Sequence, residues 1–235
     1  MSTRRFFCET PINSATDYVL TDSEHQHLAK VLRGQPGDTV TLFDGLGGEY
    51  VATIDAVQRN KTELTIQSKR DVDRELPFSL TLAVALPKGD RQQWLVEKCV
   101  ELGVTEITPL ITEFGVAQPG DKARQRIQRW IVAASKQCGR NRLMSVNDPM
   151  AFANFIDRNA ESPVYIAHPN ENESSFVNPN SLRAVTLVIG PEGGFSAKEI
   201  ELAKERECEL VSLGPRILRI ETAAVAFVSA LIYAS

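Results

Sequence analysis

Two short segments carry the residue types of a small-molecule site. Leu187-Val188-Ile189-Gly190-Pro191-Glu192-Gly193-Gly194-Phe195-Ser196 is an apolar run ending in a glycine-proline turn, and Leu213-Gly214-Pro215-Arg216-Ile217-Leu218-Arg219 supplies a second. Such turns, following consecutive strand-like runs, bring bare main-chain amides to one ligand. The first turn also opens a helix: Ser196-x-x-Glu199 has the pattern of a capping box, with Glu199 returning to the Ser196 N–H. A strand, a glycine-rich loop and a helix start are the usual setting for a nucleotide, but the charge is wrong for phosphate. No Lys follows the glycines as a P-loop requires, there is no G-x-G-x-x-G, and Glu192 would repel a pyrophosphate. A cofactor with an adenosine end and no phosphate fits better, which points toward S-adenosylmethionine (SAM) and its positive sulfonium.

Other groups could act on a substrate. Arg216, Arg219 and Glu221 bracket the second turn. Arg219 can hold an anion or an enolate-like oxygen, whereas Glu221 at a helix start is also favourable for dipole reasons alone. Lys88 at the C-terminal end of a strand is a candidate phosphate contact, and its neighbour Asp90 can cap the helix that follows. His168 ends a strand before Pro169, where parallel sheets bind ligands, although a lone His is often structural. His25 and His27 point to different faces of a helix and cannot chelate together.

Cations are grouped in two places. Residues 122–142 hold seven basic side chains and no acid. At roughly 100° per residue, Ile127, Ile131, Ala134 and Cys138 share one face, and Lys122, Arg126, Arg129, Lys136 and Arg140 cluster opposite. That face suits RNA phosphates through counterion release, against the plainer reading of a solvated helix surface. Arg4, Arg5, Lys30 and Arg33 form the second group beside Phe6 and Phe7. Arginine with aromatics suits splayed single-stranded bases, although the phenylalanines fit a first core strand better.

The elements that must position these groups divide the chain. The 235 residues are 43% hydrophobic and 24% charged, with a net charge of −4 that argues against nonspecific coating of nucleic acid but leaves room for a local basic patch. Four scattered cysteines without C-x-x-C or His partners give neither a zinc site nor a disulfide framework, so no metal and a reducing cytoplasm are expected. The N-terminus lacks a signal peptide core, and the apolar stretch 222–234 is shorter than the roughly 20 residues of a membrane span, so a buried helix or an oligomer contact is expected.

Residues 1–75 contain a helix over 22–33, opened by Thr21-x-x-Glu24 and stopped by Gly34, followed by alternating strands at 39–43, 49–54 and 63–66. That pattern predicts a small β-barrel or sandwich. From 76 to 235 strands at 80–86, 107–111, 164–167, 185–189 and 210–213 alternate with helices at 90–102, 122–138, from 198 and from 221, which predicts a mainly parallel sheet covered by helices on both faces. A polar loop spans 170–180, and residues 69–75 read as the linker.

Taken in order, His27-Leu28-Ala29-Lys30-Val31-Leu32-Arg33, Lys88-Gly89-Asp90, Glu101-Leu102-Gly103-Val104, Cys138-Gly139-Arg140, the two glycine-proline segments and Glu221-Thr222-Ala223 resemble the RsmE family of 16S ribosomal RNA uridine-N3 methyltransferases, in the SPOUT superfamily. The resemblance spans nearly the whole chain. It implies a PUA-like β-barrel, an α/β domain with a C-terminal trefoil knot, and a homodimer with the final helix near the partner. It places SAM in the knot against the loops 189–194 and 213–218, which gives Ile189, Gly190, Pro191, Glu192, Gly193, Leu213, Gly214, Ile217 and Leu218 as cofactor contacts, to which the strand-end position of His168 adds one more candidate. The sequence departs from the family pattern at Ile220, where a hydroxyl residue is common, and at Glu113-Phe114-Gly115.

The chemistry expected is proton loss from uracil N3 and in-line attack on the methyl group, with Arg219 stabilising the charge on the ring carbonyls and Glu221, or a water it orients, taking the proton. Two other readings are a noncatalytic RNA-binding factor of the ribosome, for which the turns are mere chain reversals, and a nucleotide-dependent enzyme.

Overall fold

The computed structural model describes residues 4–12, 16–115, 120–159, 162–169 and 183–233; the polar loop at 170–180 lies outside them. The chain divides into two compact units, Met1–Glu75 with Ser135–Leu143, and Leu76–Ala134 with Met144–Ser235.

The first unit is built on β1 (Arg5–Phe7), β2 (Asp17–Leu20), β3 (Thr39–Phe43), β4 (Glu49–Val57) and β5 (Thr62–Arg70), in the sheet order β1-β3-β4-β5-β2. Its neighbours are antiparallel except β1 on β3. Period-2 alternation places Tyr50, Ala52 and Ile54 of β4 on the face that packs with Phe6, Leu28, Leu42 and Leu64. The continuous helix expected over 22–33 is instead a short α1 (Asp22–Gln26) that widens into a π-helical turn, His27–Val31.

The capping box expected at Thr21 does not form. Its hydroxyl donates to the Asp22 carboxylate at 2.9 Å, and Glu24 accepts from the Phe7 N–H at 3.3 Å and from Lys136 at 2.8 Å. Arg33, not Gly34, takes the left-handed conformation after the turn, at φ 51°. Gly34 is needed for space: a Cβ there would lie 2.7 Å from Leu28 and 3.0 Å from Ile54.

The second unit contains β6 (Ser79–Val84), α2 (Asp90–Glu101), β7 (Glu106–Ile111), most of α3 (Asp121–Cys138), β8 (Ser145–Val146), β9 (Met150–Ala151), α4 (Phe152–Arg158), β10 (Val164–Ala167), β11 (Ala184–Ile189), α5 (Ala197–Glu205), β12 (Glu209–Val211) and α6 (Ile220–Tyr233). The strands run β12-β10-β11-β6-β7-β8, with β9 also on β7, and every pair is parallel. Such a sheet must be covered on both faces. Ala83, Ile166 and Val188 pack with Phe152, Phe155 and Ile156 of α4, while α6 packs against β6, β11 and α2.

The expected architecture stands: a mainly parallel α/β sheet, preceded in the chain by a small, mainly antiparallel β unit. The chain leaves β6 toward β7 on one side and returns through β10 and β11 on the other. The sheet order therefore reverses between β6 and β11, where ligands bind outside the carboxyl ends of parallel strands.

Candidate cofactor and substrate site

The turn after β11 is shaped by its own sequence. The Gly194 N–H donates to the Pro191 carbonyl at 2.9 Å, and Gly194 sits at φ 75°, a conformation that costs a side-chain residue about 1–2 kcal/mol. Phe195 folds back so that a Cβ on Gly190 would meet its ring at 2.8 Å, and the ring rests on Phe152 with centroids 5.0 Å apart. The predicted capping box then starts α5: the Glu199 N–H donates to the Ser196 hydroxyl at 3.4 Å, and the Ser196 N–H donates to Glu199 at 2.8 Å. The other Glu199 carboxylate oxygen accepts the Glu113 N–H at 3.1 Å.

The second turn is held by the Ser212 hydroxyl, which accepts the Gly214 N–H at 3.3 Å, with Gly214 at φ 101°. At the end of β10, the His168 N–H donates to the Val211 carbonyl at 2.9 Å.

These three strand ends enclose a cavity of about 370 Å³, within the size range of small-molecule sites. Ile189, Gly190, Pro191, Glu192 and Gly193 line one side of it, Leu213, Gly214, Ile217 and Leu218 another, and half-buried His168 a third. The structure thus brings together every residue that the sequence reading placed around SAM. Its walls are mostly aliphatic and main-chain, with Arg216 and Glu192 as exposed charges at the rim. The donor set fits an adenosine and offers no cluster of cations for a polyphosphate.

Glu192, the charge set against a pyrophosphate, is paired. Arg91, in the first turn of α2, donates to it at 2.6 Å and lies 3.9 Å from Glu221. Glu221 is 8% exposed and outside the cavity lining, and among the described residues its Oε2 has no hydrogen-bond partner. Arg219 is exposed and outside the cavity lining. Lys88 is exposed and lines a second cavity of about 250 Å³, which shares Pro191, Glu192, Gly193 and Ile220 with the first. Phe114 and Ile220, both at points of departure from the family pattern, line it.

Sequence reasoning missed Arg91 and Phe195. Arg91 directly follows Lys88-Gly89-Asp90, but its partners Glu192 and Glu221 come from distant parts of the chain. The signal for Phe195 was its position directly after the glycines.

The expected RNA-facing cations divide. Lys122, Arg126 and Arg129 are exposed on α3, and the Arg126 guanidinium lies 5.1 Å from the centre of the Trp130 ring. Lys30 and Arg33 are exposed, and half-buried Arg4 pairs with Asp38. Three others do not offer themselves as an open face, which corrects the sequence reading. Arg5 is buried and donates to Glu49 at 2.7 Å, to the Arg140 carbonyl at 3.2 Å and to the Asn141 side chain. Arg140 is buried against Glu75, with its nearest bond at 2.6 Å. Lys136 is half-buried and donates to Glu24 at 2.8 Å. Cys138, expected on the apolar face, is exposed.

Burial pushes the Glu49 carboxyl up, but bonds from Arg5 and Arg74 outweigh it and hold the group below its ordinary 4.5. Arg5 is itself lowered by burial.

Among the described residues no cluster of three or more His, Cys, Asp or Glu could hold a metal, and no helix is long and apolar enough to cross a membrane.

A family model described as RNA methyltransferase domain matches residues 74–232, and one described as RNA methyltransferase PUA domain matches residues 20–67. The chain is similar to the ribosomal RNA small subunit methyltransferase E of Synechocystis sp., 34% identical over 224 residues that cover 91% of this chain and 73% of that protein. It is 28% identical to the Bacillus subtilis protein of the same description, covering 98% of this chain and 96% of that one. The crystal structure of a ribosomal RNA small subunit methyltransferase E from Neisseria gonorrhoeae, bound to S-adenosyl methionine, matches with a TM-score of 0.90 at 31% identity, covering 97% and 96% of the two chains.

Proposed function

The chain belongs to the RNA methyltransferase family that includes the ribosomal RNA small subunit methyltransferase E proteins, and on that premise we propose that it methylates N3 of a uridine in 16S ribosomal RNA with SAM as donor. One observation carries the reading. Ten residues from three separate strand ends, those the sequence reading assigned to SAM, line a single cavity at the switch point of a parallel sheet.

His168 and the segments Ile189–Gly193 and Leu213–Leu218 would hold SAM. When bound, SAM supplies a methyl group on a positively charged sulfur that leaves with the electrons of the broken bond. The protein aligns the reactants and removes a proton. Uracil N3 is protonated at neutral pH, so a base must act before or during attack. Glu221, buried with one oxygen that has no hydrogen-bond partner among the described residues, or a water it orients, is suited to accept that proton. Exposed Arg219 and Lys88, with Lys122, Arg126 and Arg129 of α3, contact the anionic RNA.

The reading extends to residues 1–75 as a PUA-like RNA-binding domain and 76–235 as the methyltransferase domain with its trefoil knot, to a homodimer that uses the apolar α6, to the small ribosomal subunit as partner, and to a cytoplasmic site of action.

Calorimetry with SAM and then ATP tests the cofactor: SAM should bind and ATP should neither bind nor compete. Mass spectrometry of small-subunit RNA from cells lacking the protein tests the product, with one 3-methyluridine expected to disappear. A chain that binds RNA but gives no heat with SAM would be the noncatalytic factor instead.

A further inference from the structure

The second cavity lies against the first. Its floor is Ala85, Leu86 and Leu110, its side is Phe114, 48% exposed, and the charged groups at its rim are Lys88, Arg91 and Glu192. Because the two cavities share Pro191, Glu192, Gly193 and Ile220, their contents are neighbours, as in-line transfer between two bound molecules requires.

Two further observations describe an occupant. A half-exposed aromatic ring over an apolar floor is a stacking platform for a nucleobase. Arg91 lines the same cavity, 40% exposed, with Glu192 at 2.6 Å and the buried Glu221 Oε2 at 3.9 Å. A guanidinium carries five N–H donors, so it can also face a ring carbonyl. The cavity, at about 250 Å³, suits one ring turned out of the RNA strand and not a paired helix.

Building on the methyltransferase reading above, we infer that this cavity receives the extruded uracil, stacked on Phe114, with a ring carbonyl facing Arg91. As the N3 proton passes by way of a water to Glu221, the electron pair left on the ring spreads to its carbonyl oxygens, and the Arg91 guanidinium neutralises that charge. The same pair then bonds to the methyl carbon as the carbon–sulfur pair leaves on sulfur. Arg91 thereby takes the role that the sequence reading gave to Arg219, which lines neither cavity.

The test uses the full chain, small ribosomal subunits from cells lacking it, and four variants. Arg91→Ala should bind SAM and the subunit within about 3-fold of the parent, while kcat falls roughly 100-fold, the scale of losing one charge-stabilising donor. Arg91→Lys should recover at least about a tenth of the parent kcat, because a cation remains. Phe114→Ala should weaken binding of the subunit about 10-fold and leave SAM affinity unchanged, with Phe114→Trp restoring it. An unchanged kcat for Arg91→Ala overturns the proposal. So does a loss of SAM affinity in that variant, which would make the Arg91–Glu192 pair a brace for the cofactor turn. A parent chain that neither binds SAM nor transfers methyl removes the methyltransferase reading, and this proposal with it.

Discussion

Arg5 in the first unit and Arg91 in the second each stand beside carboxylates, and burial separates their roles. The Arg5 side chain is 7% exposed and its partner Glu49 3%, while Arg91 is 40% exposed and Glu192 62%. Glu49 gathers Arg5, Arg74 and, at 3.8 Å, Arg70, so its charge is consumed in holding the unit together. Removing one member of a buried pair strands the other without water. An exposed pair gains little from its own bond, so Arg91 is free to serve a ligand. Identical ion types thus mark a fastening in one region and a working group in the other.

The sharpest way to break this contrast is to delete both carboxylates. Glu49→Ala should cost about 3–5 kcal/mol in urea unfolding, whereas Glu192→Ala should cost less than about 1 kcal/mol. Equal losses would erase the distinction.

The cations of α3 and the segment after it give the next test. Arg140→Ala strands Glu75 and should destabilise by about 2–4 kcal/mol. Arg129→Ala should leave stability within about 0.5 kcal/mol yet weaken RNA binding and lower the salt slope by about one.

Within the cofactor turns, Gly190→Ala drives a methyl into Phe195 and should cost about 1–3 kcal/mol by overpacking, with a matching drop in SAM affinity by calorimetry. Gly214→Ala meets no atom within 4 Å and should carry only the strain of its positive φ, about 1–2 kcal/mol.

Acid should find the first unit before the second. Glu49 is held below 4.5 when folded, so its contribution is complete above that pH and is lost as pH falls through the lower folded value. His27 is likewise held below its usual 6.5, by burial and by the Lys136 ammonium. The unfolded chain therefore takes up that proton first, and stability declines as pH drops below 6.5. Melting temperatures measured from pH 7.5 to 5.5 should fall, and His27→Gln should flatten the slope.

The smallest effect concerns thiols. Burial pushes Cys8 and Cys99 up to about 12 and Cys208 to about 11, so exposed Cys138 should be the first to react with a thiol reagent.

What could be read from the chain alone followed the range of the forces involved. The apolar runs at 80–86, 107–111 and 185–189 announced buried strands, the first of which ends at Val84, and Ser196-x-x-Glu199 announced its cap, because each is decided by near neighbours. Thr21-x-x-Glu24 carried the same local signal and failed, since Lys136, 112 residues away, claims Glu24. The basic run at 122–142 likewise contained no acid of its own, yet Glu24, Glu75 and Asp148 arrive from elsewhere in the chain. β8 and β9, of two residues each, are too short for any periodicity. The cofactor cavity was legible because its walls are two contiguous motifs. The second cavity was not, because four separate stretches each lend it a few residues.

Glu199 binds the start of α5 through one oxygen and the Glu113 main chain through the other. The segment bearing Phe114 and the glycine turn are therefore moored to one post. Neither bank of the channel between them can drift alone without slipping that mooring, so admitting a guest on one side is felt by the host of the other.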